Sequence, residues 1–236
     1  MLQVCLNGSL RRSEHPAVPI TPSEVAADAV RCEAAGASAV HVHVRDVDER
    51  ESLCAEAVAR TVCAVRRACP ELPLGVSTGA WIEPDPDARI AAIRSWTVLP
   101  DFASVNVHED GADRVAGALR EGGVAVEAGI WYPAAVETYL GWRTPVLRVL
   151  VECPAADPSQ ALAEAGELVA GLRRSDVPVL LHGQGAAAWP LLAEAARRGF
   201  DRRIGLEDAR TLPDGSPAWG NAALVGAAVG YGGPER

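Results

Sequence analysis

Short runs of β-branched and other apolar residues alternate along the chain with longer Ala-rich stretches of helical character. The runs Leu2–Leu6, Ala39–Val44, Leu74–Ser77, Phe102–Val105, Val124–Ala128, Leu147–Val151, Val179–His182 and Arg203–Leu206 predict strands. The stretches Pro22–Ala35, Ala55–Ala68, Pro86–Trp96, Gly111–Glu121, Pro133–Leu140, Pro158–Leu172, Ala187–Arg198 and about Asn221–Ala228 predict helices. Local signals support several helix ends. Thr21 precedes Pro22 with Glu24 three residues on, the pattern of a capping box with proline at the first helical position. Asp157-Pro158 repeats the device, and Gly36 and Gly199 stand where a helix ends in a left-handed residue.

Most of the strand runs are apolar on both faces, as in Val146-Leu147-Arg148-Val149-Leu150-Val151. That suits a parallel sheet covered by helices. Eight strand–helix units in 236 residues average about thirty residues each, the size of a (β/α)8 unit. The expected fold is therefore α/β, a TIM barrel forming one domain over residues 1–236. An open doubly wound sheet would want a glycine-rich turn after the first strand. Asn7-Gly8-Ser9-Leu10 does not supply one.

Composition narrows the chemistry. The chain carries 22 basic and 31 acidic side chains, a net charge of −9, and every basic residue is Arg. Without Lys there is no imine chemistry and no P-loop. The acidic balance argues against a nucleic-acid surface but not against a local Arg pocket for an anion. Apolar residues make up 49% of the chain without one long run, so no membrane span is expected. Met1–Leu10 lacks the features of a secretory signal, which points to the cytoplasm. The six Cys at 5, 32, 54, 63, 69 and 153 form no CxxC pair and read as buried reduced thiols.

In a (β/α)8 barrel the active site is built at the C-terminal strand ends. Polar residues crowd there in this sequence: Asn7 and Ser9; His41, His43, Arg45 and Asp46; Ser77 and Thr78; Ser104, Asn106 and His108; Glu127; Glu152; His182 and Gln184; Arg203, Glu207 and Asp208. His41 and His43 are the sharpest pair. Two residues apart on a strand, they share one face about 7 Å apart along the chain. They are either two metal ligands or two unconnected core imidazoles. Glu207, beyond the eighth strand and so near the first two, is a candidate third ligand. Two histidines and a carboxylate with an open position make a catalytic zinc pattern that iron, manganese or cobalt also fits. Asp208 beside them is a candidate general base, oriented by Arg203. Ser77, Thr78, Ser104 and Asn106 suit substrate oxygens. His182-Gly183-Gln184-Gly185 permits close backbone approach to an anion, and Trp81, Trp131 and Trp142 are candidates either to wall an apolar pocket or to cap the barrel.

The motifs Pro19-Ile20-Thr21-Pro22, Ala35-Gly36-Ala37, His41-Val42-His43-Val44-Arg45-Asp46, Ser77-Thr78-Gly79, Ala103-Ser104-Val105-Asn106 and Arg203-Ile204-Gly205-Leu206-Glu207-Asp208 occur in that order. Together they resemble the beta-keto acid cleavage enzyme family, over about Asn7 to Asn221. The resemblance implies a barrel holding one zinc ion, a homo-oligomer, and condensation of a β-keto acid with acetyl-CoA to release acetoacetate and a new acyl-CoA. It implies zinc on His41, His43 and Glu207, Asp208 as base supported by Arg203, and Ser77, Ser104 and Asn106 on the keto acid. Ser9 and Gly129 stand where members often carry acids, with Glu127 retained near Gly129 as a candidate substrate-binding residue. That implies a substrate without the amino group those acids would meet. The tail Gly230-Tyr231-Gly232-Gly233 is shorter than the resemblance leads one to expect. Competing readings are another metal-dependent barrel lyase or aldolase and a catalytically altered homologue that binds a ligand.

Overall fold

The computed structural model describes residues 1–232; Gly233 and the rest of the expected 1–236 domain span lie outside the described residues. Eight parallel strands close into a barrel in chain order: β1 (Leu2–Cys5), β2 (Ala39–Val42), β3 (Leu74–Ser77), β4 (Phe102–Asn106), β5 (Ala125–Ile130), β6 (Arg148–Cys153), β7 (Val179–Gly183) and β8 (Asp201–Ile204). The ring closes where Leu2, Gln3 and Val4 pair with Arg202, Arg203 and Ile204. A helix follows each strand: α1 (Pro22–Ala34), α2 (Ala55–Ala68), α3 (Pro86–Arg94), α4 (Ala112–Glu121), α5 (Pro133–Leu140), α6 (Pro158–Gly171), α7 (Ala188–Arg198) and α8 (Asn221–Ala228).

The apolar strand rows account for this closure. Val4, Val40, Val42, Val76, Val105 and Val126 are fully enclosed in one core with Val25, Val58, Val62, Val115 and Leu119 of the helices. Each buried side chain of this kind contributes about 1.5–3 kcal/mol. The expected helix signals are in place. Thr21 accepts from the Glu24 amide while the Glu24 carboxylate accepts from the Thr21 amide, and Asp157 accepts from Gln160. Among the described residues no helix is long and apolar enough to cross a membrane.

Most strand ends differ from expectation by one or two residues, and three of the shifts bear on the site or the ring closure. β2 stops at Val42 because the His43 amide donates to Asn7 Oδ1 (2.9 Å) while Asn7 Nδ2 donates to the His43 carbonyl (3.0 Å). A side-chain amide thus replaces a strand neighbour. β8 begins two residues early because Asp201 binds the N-terminal ammonium (2.8 Å) and Arg202 donates to the Ala228 carbonyl (3.1 Å). β5 runs on to Ile130, so Glu127 falls mid-strand. Four cysteines are buried, but Cys54 is exposed at the N-cap of α2 and Cys63 is half-buried.

Candidate active site

A cavity of about 410 Å³ opens at the C-terminal ends of the strands, lined by His41, His43, Ser77, Ser104, Asn106, Glu152, Arg203 and Glu207, with Trp81, Trp131 and Leu150 on its apolar parts. One ligand atom from each of His41, His43 and Glu207 lies within 4.8 Å of the others. His43 Nε2 is 3.5 Å from Glu207 Oε1. His41 Nδ1 and Glu207 Oε2 are buried without a hydrogen-bond partner. Such orphaned atoms are costly unless something else satisfies them. A borderline-soft divalent cation suits two imidazoles and one carboxylate, so these residues fit a metal. Gly8 makes room for the set. Its φ is +50°, and a Cβ there would stand 2.5 Å from Glu207 Cγ.

The electrostatics are those of a ligand cluster. Burial drives His41 down to about 3, so its ring is neutral and available as a donor. Burial also opposes the charged form of His43, but the carboxylates of Glu207 and Glu51 overcome it and raise the imidazole to about 9. Burial resists ionisation of Glu207, yet Arg203 and His43 hold it well below the carboxylate range. A bound cation would displace the His43 proton.

Arg203 donates to both oxygens of Asp208 (Nε to Oδ2 3.2 Å, Nη2 to Oδ1 3.1 Å) and also to Glu207. The Asp208 carboxylate is wholly enclosed, one residue behind the cavity wall. On its other side stands His182, whose Nδ1 is 3.4 Å from Asp208 Oδ1 and whose Nε2 is 3.5 Å from Glu152 Oε2. Gln184 fixes Glu152 through a 2.7 Å hydrogen bond. Burial and Arg203 push His182 down, but Asp208 and Glu152 outweigh them and raise it.

The structure gathers most of the residues expected at the site. His41, His43, Glu207, Arg203, Ser77, Ser104 and Asn106 line the cavity. Asp208 does not, being enclosed beside Arg203, and nor does Thr78: its hydroxyl donates to the Ser104 carbonyl (2.7 Å) and ties β3 to β4. Glu127 does not either. It is buried inside the barrel, accepts from Gln3 Nε2 (2.8 Å) and faces Arg148 Nε (3.0 Å), because the longer β5 places it mid-strand. Gly129 leaves room for Asn106, since a Cβ would come within 2.6 Å of Asn106 Oδ1. In the glycine turn after β7 the Gly185 amide donates to the Asp208 carbonyl (2.7 Å) and is not free for an anion. Trp81 and Trp131 line the cavity, whereas Trp142 packs against the core.

Glu51 was not singled out in the sequence, yet it is the hub beneath His43. It takes His43 Nδ1 and accepts from Trp81 Nε1 (3.0 Å) and Ser9 Oγ (3.0 Å). Trp81 stacks on the His43 ring at 5.8 Å between centroids. A carboxylate on the far nitrogen of a ligand histidine fixes its tautomer and direction. The one cue in the sequence was an acid eight residues after the second histidine.

A closed parallel (β/α)8 barrel whose strand ends bring two histidines and a carboxylate together defines a barrel with a candidate metal site over an acid-lined cavity. The sequence profile of the beta-keto acid cleavage enzyme family matches residues 1–232, and the chain belongs to that family. The 3-oxoadipate:acetyl-CoA acetyltransferase of Cupriavidus necator is 40% identical over 80 residues, 34% of this chain and 28% of that protein. The 3-keto-5-aminohexanoate cleavage enzyme of Acetoanaerobium sticklandii is 30% identical over 95 residues, 40% of this chain and 34% of that protein. These matches therefore span about a third or less of the curated relatives. In fold, the chain is similar to apo ObcA, with a TM-score of 0.68 at 21% identity over 89% of this chain and 61% of that one. It is also similar to 3-dehydroquinate dehydratase from Geobacillus kaustophilus, with a TM-score of 0.61 at 14% identity over 92% and 86%.

Proposed function

We propose that this chain condenses a β-keto acid with acetyl-CoA and releases acetoacetate and a new acyl-CoA, using a divalent metal, zinc, on His41, His43 and Glu207. The observation that carries the reading is the convergence of those three side chains, two with orphaned buried atoms, in the wall of a cavity that also holds hydroxyl and amide donors and Arg203. Membership of the family and the names of its relatives support the reaction class.

When bound, the cation supplies Lewis-acid polarisation of the keto oxygen. Ser77, Ser104 and Asn106 hold the substrate's carboxylate and carbonyl oxygens. Asp208, turning from its enclosed place beside Arg203 toward the cavity, takes the proton from the carbon between keto group and carboxylate. That carbon attacks the thioester carbonyl of acetyl-CoA and the CoA thiolate leaves. The thiolate then adds to the original keto carbon, and the bond between it and the acetylated carbon breaks. The new acyl-CoA departs, and the acetoacetate carbanion recovers its proton from Asp208. Arg203, which donates to both Asp208 and Glu207, holds the two carboxylates side by side and orients Asp208. With Ser9 bonded to Glu51 and Gly129 facing Asn106, the reading includes a substrate without a distal amino group. It also includes a cytoplasmic homo-oligomer.

The test is to incubate the purified protein with acetyl-CoA and a panel of β-keto acids while measuring acetoacetate and metal content. Acetoacetate with about one divalent ion per chain is expected. Protein that takes up no metal and turns over no keto acid overturns the reading.

A further inference from the structure

We propose that a second, arginine-rich cleft beside the catalytic cavity binds the phosphate groups of the acyl-CoA co-substrate. The inference rests on the reading above that acetyl-CoA is a substrate, and it assigns the place where that molecule is held. The cleft encloses about 870 Å³ and shares Ser9, Leu10 and Trp81 with the catalytic cavity, so the two adjoin. A molecule lying across both would keep its thioester near the metal ligands and its other end outside.

That other end meets four guanidinium groups, from Arg11, Arg12, Arg45 and Arg50. Their commitments differ. Arg12 is occupied: it grips both oxygens of Glu24 and reaches Glu49. Arg45 is buried and bonded to the carbonyls of Gly8 and Leu10. Arg11 makes no ion pair and no side-chain hydrogen bond among the described residues, and Arg50 has only a distant partner, Asp48 at 3.8 Å. Both are exposed on the cleft wall. Of the three acids of the cleft, Glu49 is spent on Arg12 and Glu51 on His43, while Asp48 stands beside Arg50. One unpaired planar fork, Arg11, and one loosely paired, Arg50, remain, the geometry that takes phosphate by paired hydrogen bonds. CoA ends in a diphosphate and a ribose phosphate, which these cations match. The keto acid has no such groups.

The walls are also held in place before any ligand arrives. Asp46 Oδ1 accepts from the amides of Asp48 (2.8 Å) and Arg50 (2.9 Å), and the Asp46 amide donates to the Arg50 carbonyl (2.8 Å). Glu49 sits in the left-handed region at φ +63° to close this turn. On the opposite wall the Arg11 amide donates to Glu14 (3.0 Å) and its carbonyl accepts from the Glu14 amide (2.9 Å). Rigid presentation reduces the ordering cost of binding.

The experiment is equilibrium binding by calorimetry to the full-length, metal-loaded protein, with CoA, pantetheine and inorganic phosphate as separate ligands. The wild type should bind CoA more tightly than pantetheine, which lacks the phosphates. Arg11→Ala/Arg50→Ala should lose on the order of tenfold or more of that preference, as charge-assisted bonds of this kind predict. Both positions are exposed, so the variant should melt near the wild-type temperature. A variant that keeps the full preference for CoA overturns the assignment while leaving acetyl-CoA as substrate. Inorganic phosphate that binds as tightly as CoA assigns the cleft to a small anion and overturns it too. A wild type that binds no CoA removes the functional reading together with the cleft.

Discussion

Two polar networks lie inside the same barrel, one at each end, and they differ in how their charges close. The lower one joins Glu127, Gln3, Arg148, Asp201 and the N-terminal ammonium, with Arg148 over the ring of Phe102. Its two carboxylates face two cations. The upper one holds four carboxylates, Glu51, Glu152, Glu207 and Asp208, around two guanidiniums, Arg45 and Arg203. The deficit is two positive charges. In the protein alone, the His43 imidazole, raised to about 9, offsets part of that deficit, and His182 is shifted in the same direction. A divalent ion on His41, His43 and Glu207 would supply the same two charges. Both networks are buried and polar; the one short of cations is the one that opens on a cavity. A closed network is a device of structure, whereas an open one is a place for a ligand.

The contrast breaks most visibly if substitutions at the two ends have the same consequence. At the upper end, Asp208→Asn should lower turnover on the order of 10²–10⁴-fold, the usual range for a lost general base, with metal content unchanged. Steady-state rates beside metal analysis check this; activity near wild type would remove Asp208 as the base. At the lower end, Arg148→Met leaves Glu127 buried without its cation and should cost about 3–5 kcal/mol in urea denaturation, with kcat and KM of the folded enzyme unaltered. Adding Glu127→Gln should recover much of that stability, because no uncompensated charge then remains. If Arg148→Met instead altered kcat, the lower network would belong to the catalytic machinery.

Much of this division was legible in the sequence, for reasons tied to individual residues. The barrel was readable because the outward rows are nearly all Val, Leu and Ile, which only a helix layer would cover. His41 and His43 were readable because a separation of two on a strand fixes their common face, and Glu207 because barrel closure brings the loop after β8 back to β1 and β2. Glu127 was misplaced because a strand's last residue is set by its neighbours' pairing, and β5 runs two residues beyond the apolar cue. Glu51 was missed because its role depends on how a loop folds back onto His43 and Trp81. The alignment of Asp208, His182 and Glu152 crosses three strands, and no spacing within one segment encodes it.

The charge deficit can be probed directly by removing the metal. The His43 pKa in the protein, about 9, stands above its ordinary 6.5, so the protonated ring stabilises the fold. That contribution is complete below 6.5 and is lost as the pH rises through about 9. The metal-free protein should therefore weaken by up to a few kcal/mol between those limits. The metal-loaded protein, with no proton on the ligand nitrogen, should not. Denaturation at a series of pH values with and without a chelator measures the difference, and parallel curves would mean that His43 carries no such proton.

The finest test concerns Glu51, which is not itself a proposed metal ligand yet belongs to the upper network. Its carboxylate takes His43 Nδ1 and leaves Nε2 to face Glu207. Glu51→Gln keeps the volume and the Ser9 and Trp81 partners but removes the charge that makes the imidazole more basic. Metal affinity should fall roughly 10–100-fold, as for other carboxylates behind a ligand histidine, while the fold is retained. Competition with a chromophoric chelator reads the affinity. Unchanged affinity would place Glu51 with the closed, structural pairs of the lower barrel, and the count of four carboxylates against two guanidiniums would drop to three.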